Sequence, residues 1–268
     1  MRKMHFVGID VGSTSTKLIA LSINADIIGR VVILSGAGTR ADEKAVEELY
    51  GASGLEKIAC RGIVATGYGR NIFAGADKQV SEITCHARGL NFFLPEVRTI
   101  IDVGGQDLKA IRVNANGGIE QFVMNDKCAA GTGRFLEVMS KVMCIDISEL
   151  GEYDTQSTEI QVISNTCTVF AESEVISKLS AGVGTANIVA GIHDSVARKI
   201  VGLVSRIGVK PEVTLTGGGA LNAGLVRATE RHLKCGLKLP ADPQITGALG
   251  AALIALETYK PTDEKASV

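Results

Sequence analysis

The chain has 268 residues, 46% of them hydrophobic and 21% charged. This globular balance excludes disorder and suffices for one large domain or two small lobes. Twenty-eight basic against 29 acidic residues leave a net charge of −1, which excludes a general electrostatic grip on nucleic acid or on an anionic membrane. Met1 to Asp10 turns acidic early, and no uncharged apolar run reaches the roughly 18 residues of a membrane span, so a cytoplasmic protein is expected.

In chain order, Val7-Gly8-Ile9-Asp10-Val11-Gly12 reads as a buried strand stopped by glycine. Ser13 to Lys17 is a polar turn, Leu18 to Ile23 a returning strand and Ile27 to Leu34 a third strand, completing an antiparallel meander. Helical spacing around Ala45, Leu49 and Leu55 follows, with Arg40 to Glu48 a solvated face. Then come a strand over 58–66 running into Gly67-Tyr68-Gly69-Arg70 and a helix over 80–90.

At Thr99 the pattern begins again. Ile100 to Gly104 is a strand stopped by glycine, Gly105-Gln106-Asp107 a turn and Leu108 to Val113 the return. Asp10-Val11-Gly12 and Asp102-Val103-Gly104 lie 92 residues apart, and each aspartate is followed seven positions later by a lysine, Lys17 or Lys109. The chain reads as a duplication: two related lobes facing each other across a cleft. Beyond, Phe135, Val138, Met139, Val142 and Met143 mark an amphipathic helix starting near Cys128, and Cys167 precedes a helical stretch over 169–179. A long helix over 188–207 stops at Gly208. The strand 213–216 runs into Gly217-Gly218-Gly219, which opens a helix over about 222–234. Thr246 to Leu256 is apolar all round, a buried helix, and the tail from Pro261 is read as frayed.

The chemistry lies in the glycine clusters. Thirty-one glycines, about 12%, exceed the usual share of about 7%. Glycine turns let backbone N–H groups approach phosphate oxygens that a β-carbon would obstruct. Gly12, Ser13, Thr14, Ser15, Thr16 and Lys17 offer such donors, hydroxyls and an ammonium; Gly104, Gly105 and Gln106 offer a second set. Asp10 and Asp102, at strand ends, are candidates to hold Mg²⁺ through water. Gly217 to Gly219 offers backbone and a helix N-terminus to the rest of a nucleotide. Neither the P-loop nor the dinucleotide fingerprint occurs. Six cysteines at 60, 85, 128, 144, 167 and 235, no two closer than 16 residues, read as reduced thiols and exclude a local metal knuckle or ferredoxin run. His193-Asp194-Ser195 has the residue types of a hydrolase relay, but helix neighbours point to different sides.

These landmarks, in order, resemble the superfamily of actin, the heat-shock 70 chaperones and the sugar kinases. Asn125-Asp126-Lys127-Cys128-Ala129-Ala130-Gly131-Thr132-Gly133-Arg134-Phe135-Leu136 and the stretch from Thr166-Cys167-Thr168 to Ser177 resemble the ATP-dependent activators of 2-hydroxyacyl-CoA dehydratases. So do Ala65-Thr66-Gly67-Tyr68-Gly69-Arg70, Asp77-Lys78-Gln79, Ser81-Glu82 and Cys85-His86-Ala87; benzoyl-CoA reductase ATPase subunits are nearby relatives. The likeness runs from about His5 to Leu256.

The resemblance implies an α/β, two-lobed actin-like ATPase fold of duplicated ribonuclease-H-like lobes. The lobes would cover 1–97, with a C-terminal helix over 246–260 packing back, and 98–245, which carries the cysteines. It implies a homodimer sharing one 4Fe-4S cluster, with ATP hydrolysis pushing one low-potential electron from ferredoxin or flavodoxin into a separate dehydratase. Cys128 and Cys167 of each chain would supply the four thiolates, Lys127 adding charge. Both cysteines are expected at helix N-termini, which favour thiolate. Gly218, Gly219 and Ala220 would contact adenosine, Gln244 also lining the site, and Gln106 or Asp107 would orient the attacking water. A small-molecule kinase and an actin-like polymerising protein are the rivals, and both predict colourless protein. The other four cysteines and Met124, Met139 and Met143 are assigned to packing.

Overall fold

A computed structural model describes residues 4–164 and 167–261. The tail expected to fray, beyond Pro261, and Thr166 of the second cysteine segment lie outside the described residues. The elements are β1 (His5–Val11), β2 (Thr16–Leu21), β3 (Ile27–Ile33), α1 (Ala41–Ser53), β4 (Cys60–Thr66), β5 (Lys78–Gln79), α2 (Glu82–Phe93), β6 (Thr99–Val103), β7 (Leu108–Val113), β8 (Ile119–Asn125), α3 (Gly133–Met143), α4 (Leu150–Thr155), α5 (Thr168–Ser180), α6 (Thr185–Val204), β9 (Val213–Thr216), α7 (Ala223–Leu233), β10 (Leu237–Lys238) and α8 (Thr246–Tyr259). The chain divides into two compact units, residues 1–93 with 244–268, and 94–243.

In the first unit the sheet order is β3-β2-β1-β4-β5, with β1 and β2, and β2 and β3, antiparallel, and β1 and β4, and β4 and β5, parallel. Every residue of β1 is buried, as expected of a strand covered on both faces. Val7, Ile9 and Val11 pack with Ala45 and Leu49 of α1, while Phe6 meets Ala251 and Ala255 of α8. α8 also packs on β2, β4 and α2. It comes close to β1 because residue 8 is glycine: a methyl group there would lie 2.1 Å from Ala248 O and 2.2 Å from Ala252 N, backbone that cannot swing aside. Gly8→Ala is therefore expected to destabilise this unit by about 1–3 kcal/mol or more through overpacking, read as a lower denaturant midpoint with unchanged slope. An unchanged midpoint would contradict this packing.

The second unit repeats the plan. Its order, β8-β7-β6-β9-β10 read in the matching direction, has antiparallel and parallel pairs in the same places. The difference is an insertion: where the first unit passes from β3 to β4 through α1, the second passes from β8 to β9 through α3, α4, α5 and α6, and both Cys128 and Cys167 lie in that stretch. Ile101, Val103, Leu108 and Ala110 pack there against Phe135, Met139, Ala171, Ile188 and Ile192. Among the described residues, no helix is long and apolar enough to cross a membrane.

Two expectations about helix starts need correcting. α3 begins at Gly133 with Thr132 as its N-cap, so Cys128 lies in the loop ahead of the helix. Gly217 to Gly219 does not open α7: Gly218–Leu221 form a single tight 3₁₀ turn, and α7 starts at Ala223, capped by the Asn222 side chain on Leu225 N.

Candidate functional site

Each hairpin sets the same ion pair. The register of β1 with β2 places Asp10 opposite Lys17, and that of β6 with β7 places Asp102 opposite Lys109. Lys17 Nζ lies 3.3 Å from Asp10 Oδ2, and Lys109 Nζ 3.0 Å from Asp102 Oδ2. The turns between them match as well: Gly12 N–H donates to Ser15 O and Gly104 N–H to Asp107 O, both at 3.0 Å. The lysine seven positions after each aspartate is thus the cross-strand partner that a four-residue turn demands.

A second duplicated feature carries no such spacing in the sequence. Parallel pairing sets Asp10 beside Thr66 and Asp102 beside Thr216, and glycine follows in both cases. Gly67 (φ 88°) and Gly217 (φ 81°) take the left-handed conformation that favours glycine. A methyl group would lie 2.3 Å from Asp10 Oδ1 at Gly67 and 2.7 Å from Asp102 Oδ1 at Gly217, so both carboxylates are seated against bare backbone.

The two units differ in what surrounds the carboxylate. In the second, Lys109, 1% exposed, also reaches Asp107 Oδ2 at 2.8 Å, so one buried ammonium serves two acids. Asp107 is thereby committed to Lys109, whereas Gln106 is exposed at the tip of the turn. In the first unit Ser13 and Thr14 are half-buried on the turn, while Thr16 is fully buried and its hydroxyl donates to Ser35 O at 3.0 Å. That hydroxyl serves the strand and not the open side of the turn. Carboxylates this short of solvent, beside backbone donors, suit a hydrated magnesium ion, a ligand set of hard oxygens.

An apolar groove of ≈ 410 Å³ lies in the second unit, lined by Ala220, Leu221, Val226, Leu239, Pro240 and Pro243, with Arg227 at its side. Of the glycine cluster, Gly218 is exposed, Gly219 is buried and Ala220 reaches the groove. Thr216 Oγ1 and Gly217 N–H both donate to Pro243 O, at 2.6 and 2.9 Å, fixing one wall. Gln244, half-buried, is the next residue and belongs to the first unit. Arg227, which sequence reasoning missed, donates to Gly151 O and Asp154 Oδ2, both at 2.8 Å. Burial alone would raise the Asp154 carboxyl; hydrogen bonds from His193 and Arg227 outweigh it and hold the group below its ordinary value. His193 Nδ1 is 2.9 Å from Asp154, His232 is 2.7 Å from Asp194, and Ser195 donates to Ser164 O, so the three helix neighbours have three separate partners.

The cysteines sort by surroundings. Burial pushes the Cys85 thiol up to about 12 and raises those of Cys60 and Cys235, against a role as ligand thiolates. Cys144 is exposed. Cys128 and Cys167 are half-buried, and Cys167 is the N-cap of α5 with no side-chain cap bond. The first amides of α3 are spent elsewhere: Gly133 N–H donates to Gly104 O at 2.9 Å and Arg134 N–H to Gly105 O at 2.8 Å. The turn that carries Gly104 and Gly105 is therefore tied to the helix directly after Cys128. Cys60 and Cys235 are half-buried as well; thiols such as Cys128 and Cys167 suit an iron–sulfur cluster in chemistry, and two are fewer than the four a cubane takes.

Two five-stranded sheets of one topology, each with a carboxylate and lysine at a glycine turn, define an α/β, two-lobed protein of the actin-like ATPase fold. The chain belongs to the BadF/BadG/BcrA/BcrD ATPase family, whose profile matches residues 7–255. It is 53% identical over 254 residues to the activator of lactoyl-CoA dehydratase of Anaerotignum propionicum, covering 95% of this chain and 98% of that one. It is 50% identical over 262 residues to the 2-hydroxyisocaproyl-CoA dehydratase activator of Clostridioides difficile, covering 98% of each. The solved structure of the activator of the 2-hydroxyisocaproyl-CoA dehydratase from Clostridium difficile, with bound ADPNP, superposes with a TM-score of 0.93 at 51% identity over 96% of both chains.

Proposed function

We propose that this chain is the ATP-hydrolysing activator of a 2-hydroxyacyl-CoA dehydratase, working as a homodimer with one 4Fe-4S cluster. Cys128 and Cys167 of each chain would hold the cluster, and the chemistry it supplies is delivery of one low-potential electron, received from ferredoxin or flavodoxin, to the dehydratase. Backbone and hydroxyl donors of Gly12, Ser13, Thr14 and Ser15, with Lys17, take phosphate oxygens, as do Gly104, Gly105 and Gln106. Asp10 and Asp102 are the carboxylates that would hold hydrated magnesium. The apolar groove at Ala220 takes the adenine, and Gly218, Gly219 and Gln244 are assigned to the nucleotide as well.

The observation that carries the reading is the pair of hydrogen bonds from Gly133 and Arg134 to Gly104 and Gly105. A turn that grips ATP and releases ADP takes two positions, and α3, with the Cys128 loop ahead of it, is bonded to that turn. Coupling by this route replaces the expected helix dipole at Cys128. Val169 and Phe170, both 65% exposed just after Cys167, fit a surface that a second copy covers.

The test is preparation without air, followed by iron, sulfide and mass determination and ATP-dependent activation of a dehydratase. About two iron atoms per chain and a dimer are expected. A metal-free monomer that still activates the dehydratase would overturn the reading. Because Asp107 is committed to Lys109, Gln106 is the residue that orients the attacking water. Gln106→Ala is expected to lower kcat for ATP hydrolysis roughly 100-fold with ATP affinity retained, measured by turnover and equilibrium binding. Unchanged turnover would remove Gln106 from the reaction.

A further inference from the structure

His86 is buried, 6% exposed, on α2, which packs against α8. Its Nδ1 lies 3.0 Å from the hydroxyl of Thr246, the first residue of α8. Its other nitrogen faces the small space left by the next residue, Gly247. A methyl group at that position would stand 3.3 Å from His86 Nε2 and 3.1 Å from Asp10 Oδ2, so imidazole and carboxylate border the same small space. Asp10 is 6% exposed and its Oδ2 also carries the contact with Lys17.

From this we infer that His86 is a positioning residue for Asp10. In this arrangement the Thr246 hydroxyl is the donor to Nδ1, the ring proton is on Nε2, and Nε2–H serves the Asp10 carboxylate beside Gly247. Held by Lys17 on one side and the imidazole on the other, Asp10 is presented in one orientation to the cation and phosphates. Outer-shell partners of this kind are worth about 10- to 100-fold when removed. The inference rests on the proposed ATP site and deepens it.

Two substitutions divide the imidazole's roles. His86→Asn keeps a side-chain acceptor, its amide oxygen, near the Nδ1 position for the Thr246 hydroxyl and has nothing that reaches Asp10; His86→Gln carries an amide N–H toward the Nε2 position instead. In the full chain prepared without air, kcat for ATP hydrolysis is expected to fall about 10- to 100-fold in H86N and to be largely restored in H86Q, with a higher Mg²⁺ requirement in H86N. Gly247→Ala, which wedges a methyl group into the gap, is expected to lower kcat as H86N does. If H86N retains turnover and H86Q loses it, the histidine only ties α2 to α8 and the inference is wrong. Asp10→Asn separates the two levels. If D10N turns over as the parent does, the proposed site itself fails; if D10N is inactive while H86N and G247A match the parent, only the role of His86 falls.

Discussion

Replacing Cys128 or Cys167 by alanine should take the iron content of the air-free protein from about two atoms per chain to nearly none, and abolish its colour, while ATP binding persists. Four thiolates hold a cubane, the proposal takes the half-buried Cys128 and Cys167 from each chain, and loss of one from each chain leaves half the ligand set. The two residues lie in the stretch between β8 and β9, outside both glycine turns and outside the groove, so the donors proposed for the nucleotide remain in place and binding persists. Cys144→Ala, at an exposed site, is the matched control and should keep its iron. Iron that persists in both of the first two variants would remove the cluster assignment. Iron lost equally from the Cys144 variant would show general fragility and defeat the assignment of particular ligands.

The largest loss of stability is expected from Lys109→Met. This ammonium is buried, 2% exposed at the side chain, and faces Asp102 at 3.0 Å and Asp107 at 2.8 Å. Removing one partner of a buried pair strands the opposite charge in low dielectric and costs about 3–5 kcal/mol, more than most single substitutions. Lys17→Met removes the lysine at the duplicated position of the first unit, where the side chain is 15% exposed and meets one carboxylate at 3.3 Å. Water offsets part of that loss, so Lys17→Met should cost clearly less. Equilibrium denaturation of both variants decides the matter, and equal losses would mean that burial does not govern these pairs.

The two hairpins were legible in the sequence because everything that defines them is local. A strand stopped by glycine, a four-residue turn and a returning strand oblige Asp10 to face Lys17 and Asp102 to face Lys109, whatever the rest of the chain does. The start of α3 was misplaced because the apolar stripe Phe135 to Met143 reports which residues face the core and not where the first helical turn closes. That boundary is set by Thr132 and by the carbonyls of Gly104 and Gly105, which receive the first amides of the helix from a distant part of the chain. Arg227 gave no signal, since it enters the site through Gly151, Asp154 and His193, and no motif spans three helices.

By itself the sequence determined the duplicated α/β plan, the glycine turns with their carboxylate and lysine, and which two cysteine segments resemble a known family, since each rests on motifs written within a dozen consecutive residues. Only the tertiary structure decided that Thr66-Gly67 and Thr216-Gly217 are counterparts, that Lys109 is shared by two acids, that the groove ends at Pro243, and that His86 borders Asp10. The physical reason is the same in each case. Parallel strands and packed helices bring together residues far apart in the chain, and the inserted helices between β8 and β9 break the spacing that would have matched Thr66-Gly67 to Thr216-Gly217.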